Sequence, residues 1–311
     1  MSPLAAYLVQ FVLALLLAPL LPGIINRVKA KFAGRHGKPL LQLYFDIFKL
    51  LRKGEVVSRS ASFVLSLGPA VSLATVLCAL ALLPLGGVTS PLAFQGDFLL
   101  AAYLLGLGRF AVILSALDTG SSFEGMGASR EATFSALAEP VLFCCLLALA
   151  CVGGALHLET HLSLSGMLGG RPGTEWLLGR SELLFVPVVL FVLLLVENCR
   201  IPVDDPNTHL ELTMIHEVMI LDHSGPNLAY ILYGSALKLW FFAALPAGIL
   251  VPDLTTWWAQ ALCWLATILL MAVLVGVVES VMARLRMYSV PRLLGGAGVL
   301  AALALILTQI R

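Results

Sequence analysis

The chain has 311 residues, of which 59% are hydrophobic and only 12% charged, with 19 Lys and Arg against 18 Asp and Glu for a formal net charge of +1. Ordinary soluble domains carry about 25% charged residues, so this balance excludes a soluble globular domain and a generally basic nucleic-acid binder. No long polar stretch separates the apolar blocks, and residues 1–311 read as one transmembrane domain.

Blocks near or above the roughly 20 residues that span hydrocarbon as a helix fall at about 4–24, 62–85, 98–117, 136–157, 182–198, 228–250, 257–281 and 292–310. They are continuously apolar rather than alternating. Because backbone groups inside lipid must pair internally, the fold class is an all-α integral membrane bundle of about eight transmembrane helices. The first block has no positive charge ahead of it, and it reads as a retained helix rather than a cleaved signal.

Between the first two spans lie Arg27, Lys29, Lys31, Arg35, Lys38, Lys49, Arg52, Lys53 and Arg59, and Arg130, Arg200, Arg284, Arg286 and Arg292 fall on the same side of the expected topology. The opposite side holds Arg171, Arg180 and Arg311. The positive-inside rule then places the basic loops in the cytoplasm and both termini outside, in a multi-pass protein of the cell (inner) membrane. Within the basic segment, residues 38–54 place Leu40, Leu41, Tyr44, Ile47, Phe48 and Leu51 at helical spacing, with Gln42, Asp46, Lys49 and Lys53 on much of the other side. This predicts an amphipathic helix lying on the cytoplasmic face, begun near Pro39 and ended at Gly54. The basic residues lack interleaved aromatic platforms, which argues against nucleic acid and for lipid or a protein partner.

The segment 118–132, DTGSSFEGMGASREA, is rich in small residues and reads as a turn ahead of the fourth span, allowing either tight packing or a water-filled break. Glu139 stands at the start of that span, Glu197 at the end of the fifth, and Glu182 and Glu279 at boundaries. Arg109 and Lys238 are the basic residues inside spans, placed to neutralise a carboxylate on another helix. Residues 197–227 form an acidic cytoplasmic loop with a short helix, which Asn207 caps and which runs to about Ile220. Buried carboxylates change proton affinity with their surroundings, and Glu139, Glu197, Asp204, Asp205 and Glu211 are the candidates for a proton-coupling row. The competing reading is that Glu139 and Glu197 merely mark helix ends.

His209, His216 and His223 recur every seven residues, about 10 Å apart along a helix, too far for one zinc site. The six cysteines are scattered and form no CxxC pair. There is no phosphate-binding glycine loop and no Ser-His-Asp arrangement on a plausible scaffold, so no centre for covalent chemistry is visible.

Three long motifs in order carry a resemblance: GRHGKPLLQLYFDIFKLLRK at 34–53, LDTGSSFEGMGASREATFSALAEP at 117–140 and ENCRIPVDDPNTHLEL at 197–212. Over nearly its whole length the chain resembles the eight-helix membrane subunit shared by respiratory complex I, where it is subunit 1, and the group 4 membrane-bound nickel–iron hydrogenases, including formate hydrogenlyase. LDTGSSF followed by GASRE resembles the hydrogenase branch. The resemblance implies a non-catalytic subunit that anchors a peripheral redox arm and couples electron transfer to proton or sodium movement. It implies as partners a hydrogenase-like large subunit, an iron–sulfur small subunit and antiporter-like membrane subunits. The nickel–iron centre and iron–sulfur clusters would sit in those partners, and no cofactor would be bound by this chain. Arg35, Gln42, Asp46 and Lys49 match the interface with the peripheral arm. Glu139 matches a coupling carboxylate, and Glu197, Arg200, Pro202, Asp204 and Glu211 match the acidic coupling loop. Complex I members read RxPFDLxEAExEL where this chain reads RIPVDDPNTHLEL. Val203 and Asp205 therefore alter the lining of a quinone cavity while Glu211 is kept. The alternative functions are a quinone-reducing dehydrogenase subunit, a structural anchor without an ion path, and a stand-alone transporter, although no inverted repeat of the kind transporters use is visible.

Overall fold

A computed structural model describes residues 2–153, 162–169, 174–175, 181–204 and 214–310. The described residues are helical throughout apart from connecting loops, 3₁₀ turns and one isolated β-bridge between Leu85 and Val88. Among the described residues, six helices are long and apolar enough to cross a membrane, and a seventh crossing results if one bent pair counts as a single span. The protein is a multi-pass, all-α membrane bundle.

The bent pair is α1 (Pro3–Leu17) and α2 (Leu20–Phe32), which meet at 47°. The span expected over 4–24 is thus a bent pair that runs on to Phe32. Pro19 has no amide to continue the ladder, and α2 then runs on through Arg27, Lys29 and Lys31. The 10-residue α3 (Gln42–Leu51) follows; Leu43 packs on the main core while Phe45, Phe48 and Leu51 are exposed.

The spans α4 (Phe63–Leu82) and α5 (Asp97–Asp118) form the most extensively packed helix pair. Small residues allow it: a Cβ on Gly68 would sit 2.7 Å from the Ala111 carbonyl oxygen, and one on Gly108 would overlap Thr75. Such close backbone approach is how membrane helices gain packing energy without a hydrophobic driving force between them. Pro69 lies inside α4 and cannot donate to the carbonyl four residues back, that of Leu65. The Ser115 hydroxyl of α5 donates to that freed oxygen at 3.0 Å.

The fourth long helix, α6 (Ser122–Gly153), has 32 residues and begins well before residue 136. The turn expected over 118–132 is therefore confined to residues 119–121, where Gly120 takes φ 72°. The small residues are there for contact: a Cβ on Gly127 would lie 2.8 Å from the Ile215 carbonyl oxygen. After the short α7 (Leu164–Leu168), a 3₁₀ turn (Ser181–Leu184) leads into α8 (Phe185–Glu197), an apolar helix of 13 residues. A single helical turn, α9 (His216–Met219), is the part of the acidic loop seen as helix. Asn207 and the remaining residues of that expected helix before 214 lie outside the described residues.

At the centre stands α10 (Gly225–Leu250), buried on nearly every side, with Trp240, Phe241 and Phe242 almost wholly enclosed. The last two spans, α11 (Trp257–Val281) and α12 (Val290–Ile310), pack on α2 and on α6 and α8 respectively. Single faces carrying Tyr103, Leu107, Phe110 and Leu114 on α5, or Leu262 and Leu270 on α11, are exposed. In lipid an exposed apolar face is the favourable one.

Candidate functional site

Several of the charges sought in the sequence converge where α5, α8 and α10 meet. Glu197 closes α8 with its side chain 6% exposed. Arg109, from the middle of α5, approaches it to 3.2 Å, and Lys238, from α10, to 3.1 Å. Three helices far apart in sequence thus bring one carboxylate between two cations whose side chains are 8% and 16% exposed. Charges buried to this degree persist only when paired.

Glu131 of α6 is also buried, and it accepts a hydrogen bond from the Cys199 thiol at 3.5 Å. Glu139, two turns further along α6, is half-buried; a Cβ on Gly106 of α5 would lie 3.6 Å from its Oε1. Both carboxylates fall within electrostatic range of Arg109. Cys199 takes φ 46°, a conformation costly for a side chain with a Cβ, and this turns its thiol back towards α6. Burial and the neighbouring carboxylates Glu131 and Asp204 push that thiol well above the ordinary cysteine range, so it stays protonated and able to donate.

A second set of pairs flanks the first. Glu279, near the end of α11, has a side chain with no exposed surface and meets Lys29 of α2 at 2.8 Å and Arg200 at 3.6 Å. Asp204 is buried, pairs with Arg284 at 2.8 Å and accepts the Ile215 amide at 2.8 Å, so it staples the start of the acidic loop to its end. Between the two sets lies a cavity of about 110 Å³, lined by Arg109, Glu131, Glu197, Cys199, Arg200, Asp204 and Lys238 on its polar side and by Val76, Leu105, Val112 and Leu239 on its apolar side.

The structure thus brings together Glu197, Arg109 and Lys238, with Glu139 nearby; Arg200 and Asp204 line the same cavity, but Arg200 pairs with Glu279 and Asp204 with Arg284. Asp205, Glu211 and His209 lie outside the described residues. Gln42 and Asp46 are joined to each other by a 2.8 Å hydrogen bond along α3, while Arg35 and Lys49 are exposed. The sequence treats Glu279 as a boundary residue and passes over Glu131. The available signal for Glu131 was its place eight residues before Glu139, which became informative only once both were known to share one helix. Among the described residues, no group of three or more His, Cys, Asp or Glu is placed to hold a metal, and all six cysteines are free.

A separate polar cluster lies where the loop before α10 meets α4 and α5. The Nε2 of His223 bonds the Ser115 hydroxyl at 2.8 Å. That hydroxyl already donates to Leu65, so the ring carries its proton on Nε2, and its Nδ1 is buried without a partner among the described residues. Burial pushes the imidazole below the ordinary histidine value. Glu124, also buried, accepts the Asp222 amide at 3.2 Å and the Thr119 hydroxyl.

Comparison with known proteins gives a consistent result. The family model described as NADH dehydrogenase matches residues 4–310. The chain is 34% identical to hydrogenase-4 component C of Escherichia coli (strain K12) over 304 residues, covering 96% of this chain and 93% of that one. It is 31% identical to formate hydrogenlyase subunit 4 of the same organism over 298 residues, 92% of each. A third relative is an NADH-quinone oxidoreductase subunit of Polaromonas naphthalenivorans (strain CJ2), 28% identical over 193 residues, 61% of this chain and 53% of that one. Among solved structures, a chain of the membrane-bound sulfane sulfur reductase, an archaeal respiratory membrane complex, superimposes with a TM-score of 0.83, covering 99% of this chain and 100% of that one; at 18% identity this speaks to the fold. The chain belongs to the NADH dehydrogenase membrane-subunit family, on the side of it that holds the hydrogenase-4 and formate hydrogenlyase components.

Proposed function

We propose that this chain is the membrane subunit of an energy-converting hydrogenase or related respiratory complex, anchoring a peripheral redox arm and coupling its electron transfer to proton or sodium translocation. The observation that carries the reading is Glu197, buried between Arg109 and Lys238 at the wall of an internal cavity. A neutral anchor gains nothing from holding charges in this way, because equally well-packed apolar residues would be as stable or more so. A charged cluster under the acidic loop responds to charge changes in a docked redox partner, and carboxylates on α6 and α8 supply protonatable steps.

In this reading α8 makes an additional short crossing, giving eight with the bent pair counted once. The basic loops face the cytoplasm and both termini the outside. α3 lies along the cytoplasmic face, where Arg35, Gln42, Asp46 and Lys49 meet the peripheral arm, and Asp205 and Glu211 extend the carboxylate row. The partners are a hydrogenase-like large subunit, an iron–sulfur small subunit and antiporter-like membrane subunits, which bring the nickel–iron centre and the clusters.

The test is purification in mild detergent with identification of the subunits and metals, followed by ion uptake in reconstituted vesicles. Nickel, iron and coupled uptake are expected. Glu139→Gln is expected to assemble but to move fewer ions per electron pair. Normal coupling in that variant removes Glu139 from the path, and uncoupled turnover of the intact wild-type complex refutes the function.

A further inference from the structure

Residues 27–59 carry nine basic side chains against Asp46 and Glu55, and both acids are already engaged. Asp46 accepts a hydrogen bond from Gln42 at 2.8 Å, and Glu55 accepts the Ser66 hydroxyl at 2.9 Å and the Asn227 amide. A surplus of positive charge is therefore left around α3. At 100° per residue, α3 and its caps present three faces. Gln42, Asp46, Lys49 and Lys53 form the polar one, while Leu43, Ile47 and Leu50 are half-buried against the bundle. The third carries Leu41, Phe45, Phe48 and Arg52, and no described residue covers it: Phe45 is 59% and Phe48 58% exposed.

Two tethers set the depth of that third face. The Tyr44 hydroxyl donates to the Leu16 carbonyl, which ties the first turn of α3 to the last turn of α1. There Pro19 leaves the Leu15 carbonyl without its helical bond, and the Tyr233 hydroxyl of α10 donates to it at 3.1 Å. Tyr233 lies eight residues into α10, about 12 Å deeper than its start. At the other end, the Val56 amide donates to the Ser224 hydroxyl at 2.9 Å, beside the first residue of α10. So α3 slants from the exposed apolar side chains Leu13 and Leu16 of α1 up to the end of the bundle. A water-soluble partner does not reach the deep end of such a face, whereas lipid hydrocarbon does. Arg52 stands at the shallow end, its guanidinium carbon 4.1 Å from the centre of the Phe48 ring. Among the described residues no carboxylate pairs with it.

We infer that this outer face of α3 seats an anionic phospholipid, its acyl chains along Phe45, Phe48 and the exposed side of α1 and its phosphate on the Arg52 guanidinium. A guanidinium offers a planar fork of N–H donors that matches two phosphate oxygens. The Phe48 ring occupies the flat side of that plane and leaves the in-plane donors free. A zwitterionic headgroup brings an amine that the surplus of positive charge repels. An anionic headgroup is instead favoured about fivefold for each basic residue near it. The polar face of α3 stays clear for the peripheral arm, so this lipid site stands independently of the coupling function proposed above.

Native mass spectrometry of the full chain in mild detergent, incubated with equal amounts of dioleoyl phosphatidylglycerol and dioleoyl phosphatidylcholine, reads the preference. The wild type is expected to retain more phosphatidylglycerol. Arg52→Gln should lower the ratio about fivefold. Arg292→Gln removes another guanidinium set over a ring, that of Tyr288, and should leave the ratio unchanged. Equal retention of the two lipids by the wild type, an unchanged ratio in Arg52→Gln, or the same fall in Arg292→Gln each overturns the site. A second measurement needs no variant of Arg52 to fold: benzoylphenylalanine placed at Phe45 is photocrosslinked in the assembled complex, reconstituted in vesicles of the same two lipids. Adducts to phosphatidylglycerol are expected. Adducts confined to phosphatidylcholine, or to a protein subunit, overturn the proposal.

Discussion

Replacing Glu197 with Gln keeps the shape of the side chain and removes its charge. Arg109 and Lys238, with side chains 8% and 16% exposed, would then face each other without the carboxylate that now lies 3.2 and 3.1 Å from them. Removing one partner of a buried ion pair costs about 3–5 kcal/mol, roughly a hundred- to several-thousand-fold in the folded population. Two stranded cations put this variant towards the upper end. The Glu197→Gln, Lys238→Met double variant removes one of them and should recover part of the loss, with a coupling of about 0.5–3 kcal/mol in a double-mutant cycle. Denaturant titration in detergent provides the assay. Trp240, two residues from Lys238 and in edge contact with Trp264 at 6.1 Å, is a native fluorescence reporter of this region. If Glu197→Gln costs no more than an ordinary surface change, within about 0.5 kcal/mol, the cluster is not a tightly buried charge balance and the reasoning fails.

Two other outcomes follow from the geometry. Gly127→Ala places a Cβ 2.8 Å from the Ile215 carbonyl and onto Val218. Overpacking of this kind costs about 1–3 kcal/mol and should lift α9 from α6, seen as faster proteolysis between residues 198 and 224; an unchanged cleavage pattern counts against the contact. His223 is held neutral, since burial sets its pKa below the ordinary 6.5. Its contribution is therefore complete above about pH 6.5 and drains away as pH falls below that value, where the unfolded imidazole protonates and the folded one resists. Hydrogen exchange at residues 220–224 should quicken at mildly acid pH, and His223→Gln should flatten that dependence.

Much of the bundle was legible because a lipid-facing helix must be apolar along its length. The span expected over 257–281 coincides with α11, and those over 62–85, 98–117 and 228–250 differ from α4, α5 and α10 at their ends. The first turns of α6 were not legible. Glu124, Gly127 and Glu131 lower the local hydropathy, yet they face protein, where Thr119 and Asp222, α9 and Cys199 respectively meet them. Hydropathy reports what lipid tolerates and says nothing of a helix face turned inward. The bend between α1 and α2 was not legible, because both halves are apolar enough to read as one block. Arg109 was recognisable as a cation in need of a partner, and Glu197 as a carboxylate in need of one. That they meet depends on how three helices pack, which no spacing within one helix encodes. Glu279 reads only as a boundary residue for the same reason: its partners Lys29 and Arg200 come from distant parts of the chain and reach it through the packing of α2 and the acidic loop on α11.

The oxygen that Pro69 releases on Leu65 sets a vertical datum for the bundle. Ser115 reaches it from the neighbouring span, and His223 hangs from the same hydroxyl, so the height of the loop ahead of the central helix is measured from a defect in another helix. Adding or deleting one residue between 62 and 69 would shift that reference by about 1.5 Å and rotate it by about 100°, and the loop would lose its mooring with no substitution in the loop itself. Sequence length between Ser62 and Pro69 is thus a constraint on the architecture of this end of the bundle as binding as any side chain within it.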